Sequence, residues 1–186
     1  MQAKIVSELM VPRAEYATVH RNATLFEAVQ ALKDVQNKFS QDSSKYKHRA
    51  ILVYDDEKHI IGKISQLDVL KGLEPKYQGL DDLEKLSTLN INVNYLRNMM
   101  EEFSLWQHPI DDICHKAFVI KVEDIMHKVT KGEYIEENES INTAIHQLVV
   151  GHKQSLLVTK DNNIIGILRM TDVFKYVCNM MEAYKI

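Results

Sequence analysis

Two residues of one short segment, Ser65 and Asp68 of "GKISQLD", have the spacing that ligand binding at a helix start requires. The segment joins a strand-like run to a helix-like run, and a helix start attracts anions through its N–H groups and its dipole. A serine hydroxyl there can donate to a phosphate oxygen, and an aspartate one turn later can accept from two vicinal sugar hydroxyls. Gly62 would let the backbone approach such a ligand.

The same residues also suit a helix start that binds nothing. Ser65 as N-cap with Asp68 at the third helical position is a near relative of the capping box, which contributes roughly 1 kcal/mol to helix stability. Gly62 could serve strand twist or close packing alone. The spacing by itself leaves the pocket and the cap equally open.

The chain contains two copies of one unit. A glycine (Gly62 and Gly166), an acid (Asp68 and Asp172) and a small helix-start residue recur in the same order, which indicates a duplication. The aligned segments are 6–10 with 122–126, 18–32 with 134–148, and 49–73 with 154–177.

Each copy is predicted to form strand, helix, strand, strand, helix. Thr24 and Ser140 are good N-caps, and Glu27 completes a capping box with Thr24. Apolar residues recur at helical spacing after each cap, and aliphatic runs on either side of turn residues indicate a β-hairpin. The closing helices are predicted from Gln66 to about residue 73 and from Met170 to about residue 181. One such unit buries too little surface to be stable alone, so we expect two β-α-β-β-α repeats packed sheet to sheet as one pseudo-twofold α+β module.

The predicted boundaries are repeat 1 at 1–73, a helical connector at 74–118, and repeat 2 at 119–186. Repeat 1 carries an insertion at about 33–47, which extends its first helix and then reads as an exposed loop, "SQDSS". The connector is expected to form two amphipathic helices, one around 80–86 and one from about Tyr95 to Trp106.

Composition excludes several classes of protein. With 186 residues, 45% hydrophobic and 26% charged, the chain is typical of a soluble globular protein. A formal net charge of −3 argues against nucleic-acid binding, and no apolar stretch reaches the roughly 20 residues that span a bilayer. Cys114 and Cys178 have no metal-site or disulfide-framework spacing, and the N-terminus lacks a secretory apolar region, so we expect a cytoplasmic protein without a metal site.

The doubled pattern of "LM" near the start, "NATLFEAVQAL", "HRAILVYDD" and "GKISQLD" resembles the cystathionine-β-synthase (CBS) domain. Two such repeats in tandem resemble a Bateman module. The resemblance implies a regulatory module that binds AMP, ADP, ATP, S-adenosylmethionine or a dinucleotide in the clefts between paired repeats. It also implies homodimers.

Carried onto this sequence, the resemblance places Ser65 at the phosphate and Asp68 at the ribose hydroxyls, with Gly62 beside them. The pair His48 and Arg49 is similar to the basic residues that some members of the family direct at phosphates. Thr18, on the first strand, matches the edge where the base usually lies.

Repeat 2 departs from this pattern. Asp172 and Gly166 keep their places, but Arg169 stands where a serine or threonine is expected. Arg169 could pair with a phosphate as a charged fork, block the cleft, or point to solvent.

Two other classes of function are alternatives to the nucleotide-binding module. An enzyme is disfavoured because the histidines and cysteines show no catalytic or zinc-ligand spacing, so we expect no catalytic residues and no catalytic cofactor. A ligand-free dimerisation or protein-interaction module that keeps the CBS fold is the alternative function. In either case the chain would signal to a regulated protein that the sequence does not identify, with no nucleic-acid or membrane partner.

Overall fold

The computed structural model describes residues 4–39, 48–74, 93–104 and 110–183. It has the predicted α+β class, with two four-stranded sheets and flanking helices. The strands are β1 (Val11–Pro12), β2 (Thr18–His20), β3 (Ala50–Tyr54), β4 (Ile60–Ser65), β5 (His127–Lys128), β6 (Tyr134–Glu136), β7 (Ser155–Lys160) and β8 (Asn163–Arg169). The α-helices are α1 (Leu25–Phe39), α2 (Gln66–Leu73), α3 (Val93–Glu102), α4 (Ile110–His115), α5 (Val122–Ile125), α6 (Ile141–Val150) and α7 (Met170–Ala183). Short 3-10 helices lie at Val6–Glu8, Arg13–Glu15, Lys116–Phe118 and Lys131–Glu133.

The chain forms two compact units, and each combines segments that are distant in sequence. The repeat-1 unit contains residues 18–32 and 49–127, and the repeat-2 unit contains residues 1–17, 33–48 and 128–186.

The sheet of the repeat-1 unit has the strand order β2-β3-β4-β5. β2 runs parallel to β3, and β3 and β4 form the predicted antiparallel hairpin. Ile51, Leu52 and Val53 are all fully buried, so both faces of β3 are covered.

The sheet of the repeat-2 unit has the order β1-β8-β7-β6 and repeats the same pairing. Ala50 pairs with Ser65 in one hairpin and Ser155 pairs with Arg169 in the other, and each hairpin has one irregularity at the matching place. The predicted duplication is therefore confirmed strand by strand. The core of this unit is a buried apolar cluster of Val6, Ile135, Ile141, Ala144, Leu148, Leu156, Val158, Leu168 and Val173.

The predicted helix caps are present. Thr24 and Glu27 form a reciprocal capping box, with the Glu27 N–H donating to Thr24 Oγ1 at 3.2 Å and the Thr24 N–H donating to Glu27 Oε2 at 2.7 Å. These bonds lower the pKa of Glu27, first through the backbone N–H of Thr24 and then through its hydroxyl. Ser140 Oγ accepts from the Thr143 N–H at 3.1 Å and starts α6 in the same way.

The first segment of each repeat, which contains β1 or β5, lies in the sheet of the other repeat, and the sequence alignment does not reveal this exchange. β1 pairs antiparallel with β8, and Val6 is part of the apolar core of the repeat-2 unit. β5 correspondingly lies beside β4, in the repeat-1 sheet. The two exchanged segments resemble each other, so comparing the copies cannot show which sheet each one joins. The boundaries 1–73, 74–118 and 119–186 stay predictions.

The insertion and the connector are described only in part. α1 continues to Phe39, as predicted, while the "SQDSS" loop lies outside the described residues. The expected helix at 80–86 and Trp106 also lie outside them. The second connector helix is confirmed as α3, and the sequence did not predict the short α4 that comes later.

Candidate functional site

The N-terminus of α2 positions the first candidate pair. Ser65 ends β4 and caps α2, so its side chain stands where the sheet passes into the helix. Asp68 Oδ2 accepts from the Ser65 N–H at 2.8 Å and from the Ser65 hydroxyl at 2.6 Å, and the Asp68 N–H donates to Ser65 Oγ at 3.2 Å. The capping box weighed from the sequence is therefore formed. None of these bonds uses Asp68 Oδ1, so the cap leaves one carboxylate oxygen uninvolved.

Two further candidates lie at the same end of this sheet. Because Ala50 pairs with Ser65, the preceding residue, Arg49, lies beside the start of α2, and it is exposed. Thr18 begins β2, which runs parallel to β3, and it is exposed as well. Parallel neighbours begin at the same edge of a sheet, so the fold brings Thr18, Arg49, Ser65 and Asp68 to one end of the repeat-1 sheet.

His48 has a different environment from Arg49. His48 is only 4% exposed, and its ring packs edge-on against the ring of Tyr16 with the ring centroids 4.5 Å apart. Gln36 Nε2 donates to the His48 carbonyl at 2.6 Å. Of the predicted basic pair, the structure turns Arg49 outward and packs His48 inside the repeat-2 unit.

The two motif glycines have a packing explanation. A Cβ on Gly62 would lie 2.7 Å from Met126 Sδ and 3.0 Å from the His127 carbonyl oxygen. A Cβ on Gly166 would lie 2.6 Å from the Val11 carbonyl oxygen and 2.8 Å from Met10 Sδ. Each glycine thus leaves room for the edge strand that the first segment of the other repeat contributes. This close packing is a sufficient reason for a glycine at both positions.

The equivalent position in repeat 2 holds a buried ion pair. Arg169 Nε donates to Asp172 Oδ2 at 2.5 Å, and Arg169 Nη2 donates to Asp172 Oδ1 at 2.7 Å. The two side chains are 11% and 18% exposed. The structure contradicts the alternative in which Arg169 points to solvent, because its guanidinium group binds the aspartate of its own repeat.

The electrostatics around this pair include Tyr16, which the sequence analysis did not single out. Burial raises the pKa of Tyr16 to about 12. The smaller effects of Arg169, which lowers this pKa, and of Asp172, which raises it, oppose each other. Burial lowers the pKa of Arg169, but the hydrogen bond and charge of Asp172, with Tyr16 and Glu15, bring the pKa above its ordinary value. No sequence motif marks Tyr16, which lies between β1 and β2.

Among the described residues, no group of three or more histidine, cysteine, aspartate or glutamate side chains could hold a metal ion. No helix of the described ranges has both the length and the apolar character needed to cross a bilayer.

A duplicated α+β unit with an acid in the first turn of each closing helix defines a tandem-repeat module. The profile of the CBS domain family matches residues 6–75 and 122–179, more than half of the chain. The chain therefore belongs to the CBS domain family, and it carries a tandem CBS pair.

Solved structures share the fold at low identity. The CBS-pair protein CBSX2 from Arabidopsis thaliana is 18% identical, with a TM-score of 0.60 over 97% of this chain and 99% of that one. A putative acetoin utilization protein (AcuB) from Vibrio cholerae is 15% identical, with a TM-score of 0.59 over 99% of this chain and 97% of that one. CBSX2 in complex with AMP is 17% identical, with a TM-score of 0.56 over 95% of this chain and 98% of that one. A search of curated proteins found no match.

Proposed function

We propose that this protein is a non-catalytic regulatory module that binds an adenosine nucleotide or derivative at the N-terminus of α2. The observation that carries the proposal is the convergence of Ser65, Asp68, exposed Arg49 and exposed Thr18 at one end of the repeat-1 sheet. Membership of the CBS family supports it, as does the AMP bound by the structural relative CBSX2.

Each residue has a distinct chemical task in this proposal. Asp68 accepts from the ribose hydroxyls, because its Oδ1 takes no part in the cap. The first turn of α2 and the Ser65 hydroxyl face the phosphate, where the helix dipole favours negative charge. Arg49 supplies the positive charge that pairs with the phosphate. Thr18 borders the base. Gly62 admits the neighbouring strand and has no direct contact with the ligand.

The ribose contact predicts the ligand class. A site built to pair a carboxylate with sugar hydroxyls rejects analogues that lack them, because the carboxylate loses a charged hydrogen bond worth about 1.5–3 kcal/mol. AMP, ADP, ATP and S-adenosylmethionine all carry both ribose hydroxyls, so we propose this set as the ligands. 2′-Deoxy-AMP serves as the negative control.

Thermal unfolding with and without AMP tests the proposal. A ligand at about 100 times its Kd adds about 2.7 kcal/mol to the free energy of unfolding. For a chain of this size that corresponds to a rise in Tm of roughly 5–11 °C. D68A should abolish the rise.

A matched control separates binding from capping. Glu27 holds the same capping-box position in α1 as Asp68 holds in α2, and it belongs to the same unit. E27A should therefore lower the baseline Tm slightly and keep the full AMP response. Equal AMP responses in D68A and in the unaltered protein would show that Asp68 is only a cap.

The alternative function is a dimerisation or protein-interaction module that binds no nucleotide. One observation favours it: the Ser65–Asp68 capping box gives both residues a structural role at the start of α2. Leu67 and Leu70, on the exposed face of α2, are 59% and 53% exposed, so this face offers apolar area to another chain. Unchanged Tm values with every adenosyl compound would favour this function.

The proposed setting is a homodimer in the cytoplasm that passes its ligand state to a separate regulated protein. Sedimentation equilibrium at micromolar concentration tests the dimer, since a mass of one chain would exclude it. Recovery of a protein that binds this chain only in the presence, or only in the absence, of AMP would identify the regulated partner.

A further inference from the structure

The two closing helices begin in equivalent backbone frames, so their side chains can be compared position by position. Ala50 pairs with Ser65, and Ser155 pairs with Arg169. The aspartate that follows three residues later, Asp68 or Asp172, lies in the first turn of its helix in both cases. A difference in what the two aspartates bind therefore comes from the side chain three residues earlier, which is Ser65 in repeat 1 and Arg169 in repeat 2.

Asp172 has both carboxylate oxygens engaged. Arg169 donates through Nε to one oxygen and through Nη2 to the other, which is the bidentate geometry of a strong charge-assisted pair. Asp68, in contrast, uses only Oδ2 for its cap. A ribose that binds Asp172 must therefore compete with the guanidinium group for both carboxylate oxygens.

The surroundings of the Arg169–Asp172 pair make this displacement unfavourable. The pair is mostly buried, and Tyr16 beside it is only 6% exposed. Separating two mostly buried charges leaves each of them poorly solvated, which is costly in the protein interior. The charge of Glu15 adds a smaller favourable interaction with Arg169.

The repeat-2 position also lacks the positive charge proposed to hold the phosphate. The residue before β3 is Arg49, whereas the residue before β7 is the neutral Gln154. The Gln154 carbonyl accepts from the Met170 N–H at 2.9 Å, so this residue already takes part in the start of α7. Arg169, the cation at the end of β8, is paired with Asp172.

We infer that Arg169 occupies the ribose-binding aspartate of repeat 2 from within the chain, so that each chain binds one nucleotide, at the Ser65–Asp68 site, and not two. This inference rests on the proposed function and makes Arg169 the residue that determines the number of ligands. The arginine acts as a permanent internal substitute for the sugar hydroxyls.

Calorimetric titration with AMP counts the sites, and R169S is the decisive variant. Serine at this position restores the residue type of repeat 1 and can cap α7 as Ser65 caps α2, so we expect the variant to fold. The expected counts are one AMP per chain for the unaltered protein, two for R169S, none for D68A, and one for the double variant D68A/R169S. The site gained in R169S should bind AMP more weakly than the Ser65–Asp68 site, because Gln154 supplies no charge to the phosphate.

The counts separate the two claims. The loss caused by D68A measures the proposed function, and the gain caused by R169S measures the inference. An unaltered protein that binds no AMP, with an R169S variant that binds one, would overturn the proposed site and keep the inference. An R169S variant that folds and gains no site, or an unaltered protein that binds two AMP molecules, would overturn the inference.

A measurement on the unaltered protein covers the case in which R169S fails to fold. The Nε–H resonance of Arg169, assigned with R169K, should exchange slowly with solvent because the proton is held by Asp172. The chemical shift of this Nε–H resonance should not change when AMP shifts the amide resonances of Ser65 and Asp68. Fast exchange, or an AMP-dependent shift of the Arg169 resonance, would contradict the internal occupation of Asp172.

Discussion

The N-terminus of α2 and the N-terminus of α7 share a strand register, a glycine and an aspartate, and they differ at the residue that ends the preceding strand. Ser65 gives a capping box that uses one oxygen of Asp68, while Arg169 gives an ion pair that uses both oxygens of Asp172. A single side chain thus changes a partly buried cap into a partly buried salt bridge. The comparison teaches that the motif aspartate marks a position in the fold. The side chain three residues earlier decides whether the carboxylate of that aspartate can accept bonds from a ligand.

The largest expected difference between the two regions concerns the removal of each aspartate. D172A leaves the mostly buried Arg169 without its carboxylate fork, which should cost about 4 kcal/mol of the free energy of unfolding. D68A removes one side of an N-cap, which should cost about 1 kcal/mol. Urea unfolding of the two variants measures both values.

A double variant controls for the volume lost in D172A. R169A/D172A removes both charges, so it should recover a large part of the stability that D172A loses. If D172A and D68A destabilise the protein equally, the buried ion pair is no stronger than the cap, and the contrast between the two regions fails.

The second expected effect is a pH dependence that belongs to the repeat-2 region. Burial raises the pKa of Tyr16 from 10.0 to about 12 in the folded protein. Below pH 10 both states keep the proton, and between pH 10 and about 12 only the unfolded chain releases it. The stability due to Tyr16 is therefore fully present below pH 10 and falls by about 3 kcal/mol as the pH rises through that range.

Y16F isolates this contribution, because phenylalanine fills the same space without a titrating hydroxyl. The difference in unfolding free energy between Y16F and the unaltered protein, measured at pH 9 and near pH 12, should change in favour of Y16F. A constant difference would show that the Tyr16 hydroxyl is solvated in the folded protein, and the repeat-2 region would then be more open than the structure indicates.

The smallest expected effect is the difference in unfolding free energy between alanine substitutions at the two glycines. A Cβ on Gly166 meets the backbone carbonyl of Val11 at 2.6 Å, whereas a Cβ on Gly62 meets first the flexible end of Met126 at 2.7 Å. Because a methionine side chain can move aside more easily than a strand, G166A should cost about 2 kcal/mol and G62A about 1 kcal/mol. A larger loss for G62A in urea unfolding would reverse this order.

Much of the fold could be predicted from local sequence. Thr24, Ser65 and Ser140 mark helix starts because their side chains satisfy the backbone N–H groups of the next turn, whatever lies further away. The hairpins follow from aliphatic runs on either side of polar turns, and the duplication follows from residues that recur in order. The α3 helix was also predicted from its apolar periodicity, whereas the short α4 had too few residues to show any.

The candidate site could be predicted in type but not in geometry. Arg49 and His48 are neighbours with similar side chains in the sequence, and only the fold shows that the first is exposed and the second packs against Tyr16. Gly62 and Gly166 fit a ligand-approach role as well as a packing role until the edge strands are placed. Tyr16 was missed because no spacing connects it with Arg169 or Asp172.

The sequence by itself determined the repeat, the helix starts and the β-hairpins, since these depend on hydrogen bonds and apolar periodicity within a few residues of the chain. Only the tertiary structure decided which sheet β1 and β5 join and which residue pairs with Arg169. Those outcomes depend on which groups are buried together, and a buried charge must pair with the acid that the fold brings within reach.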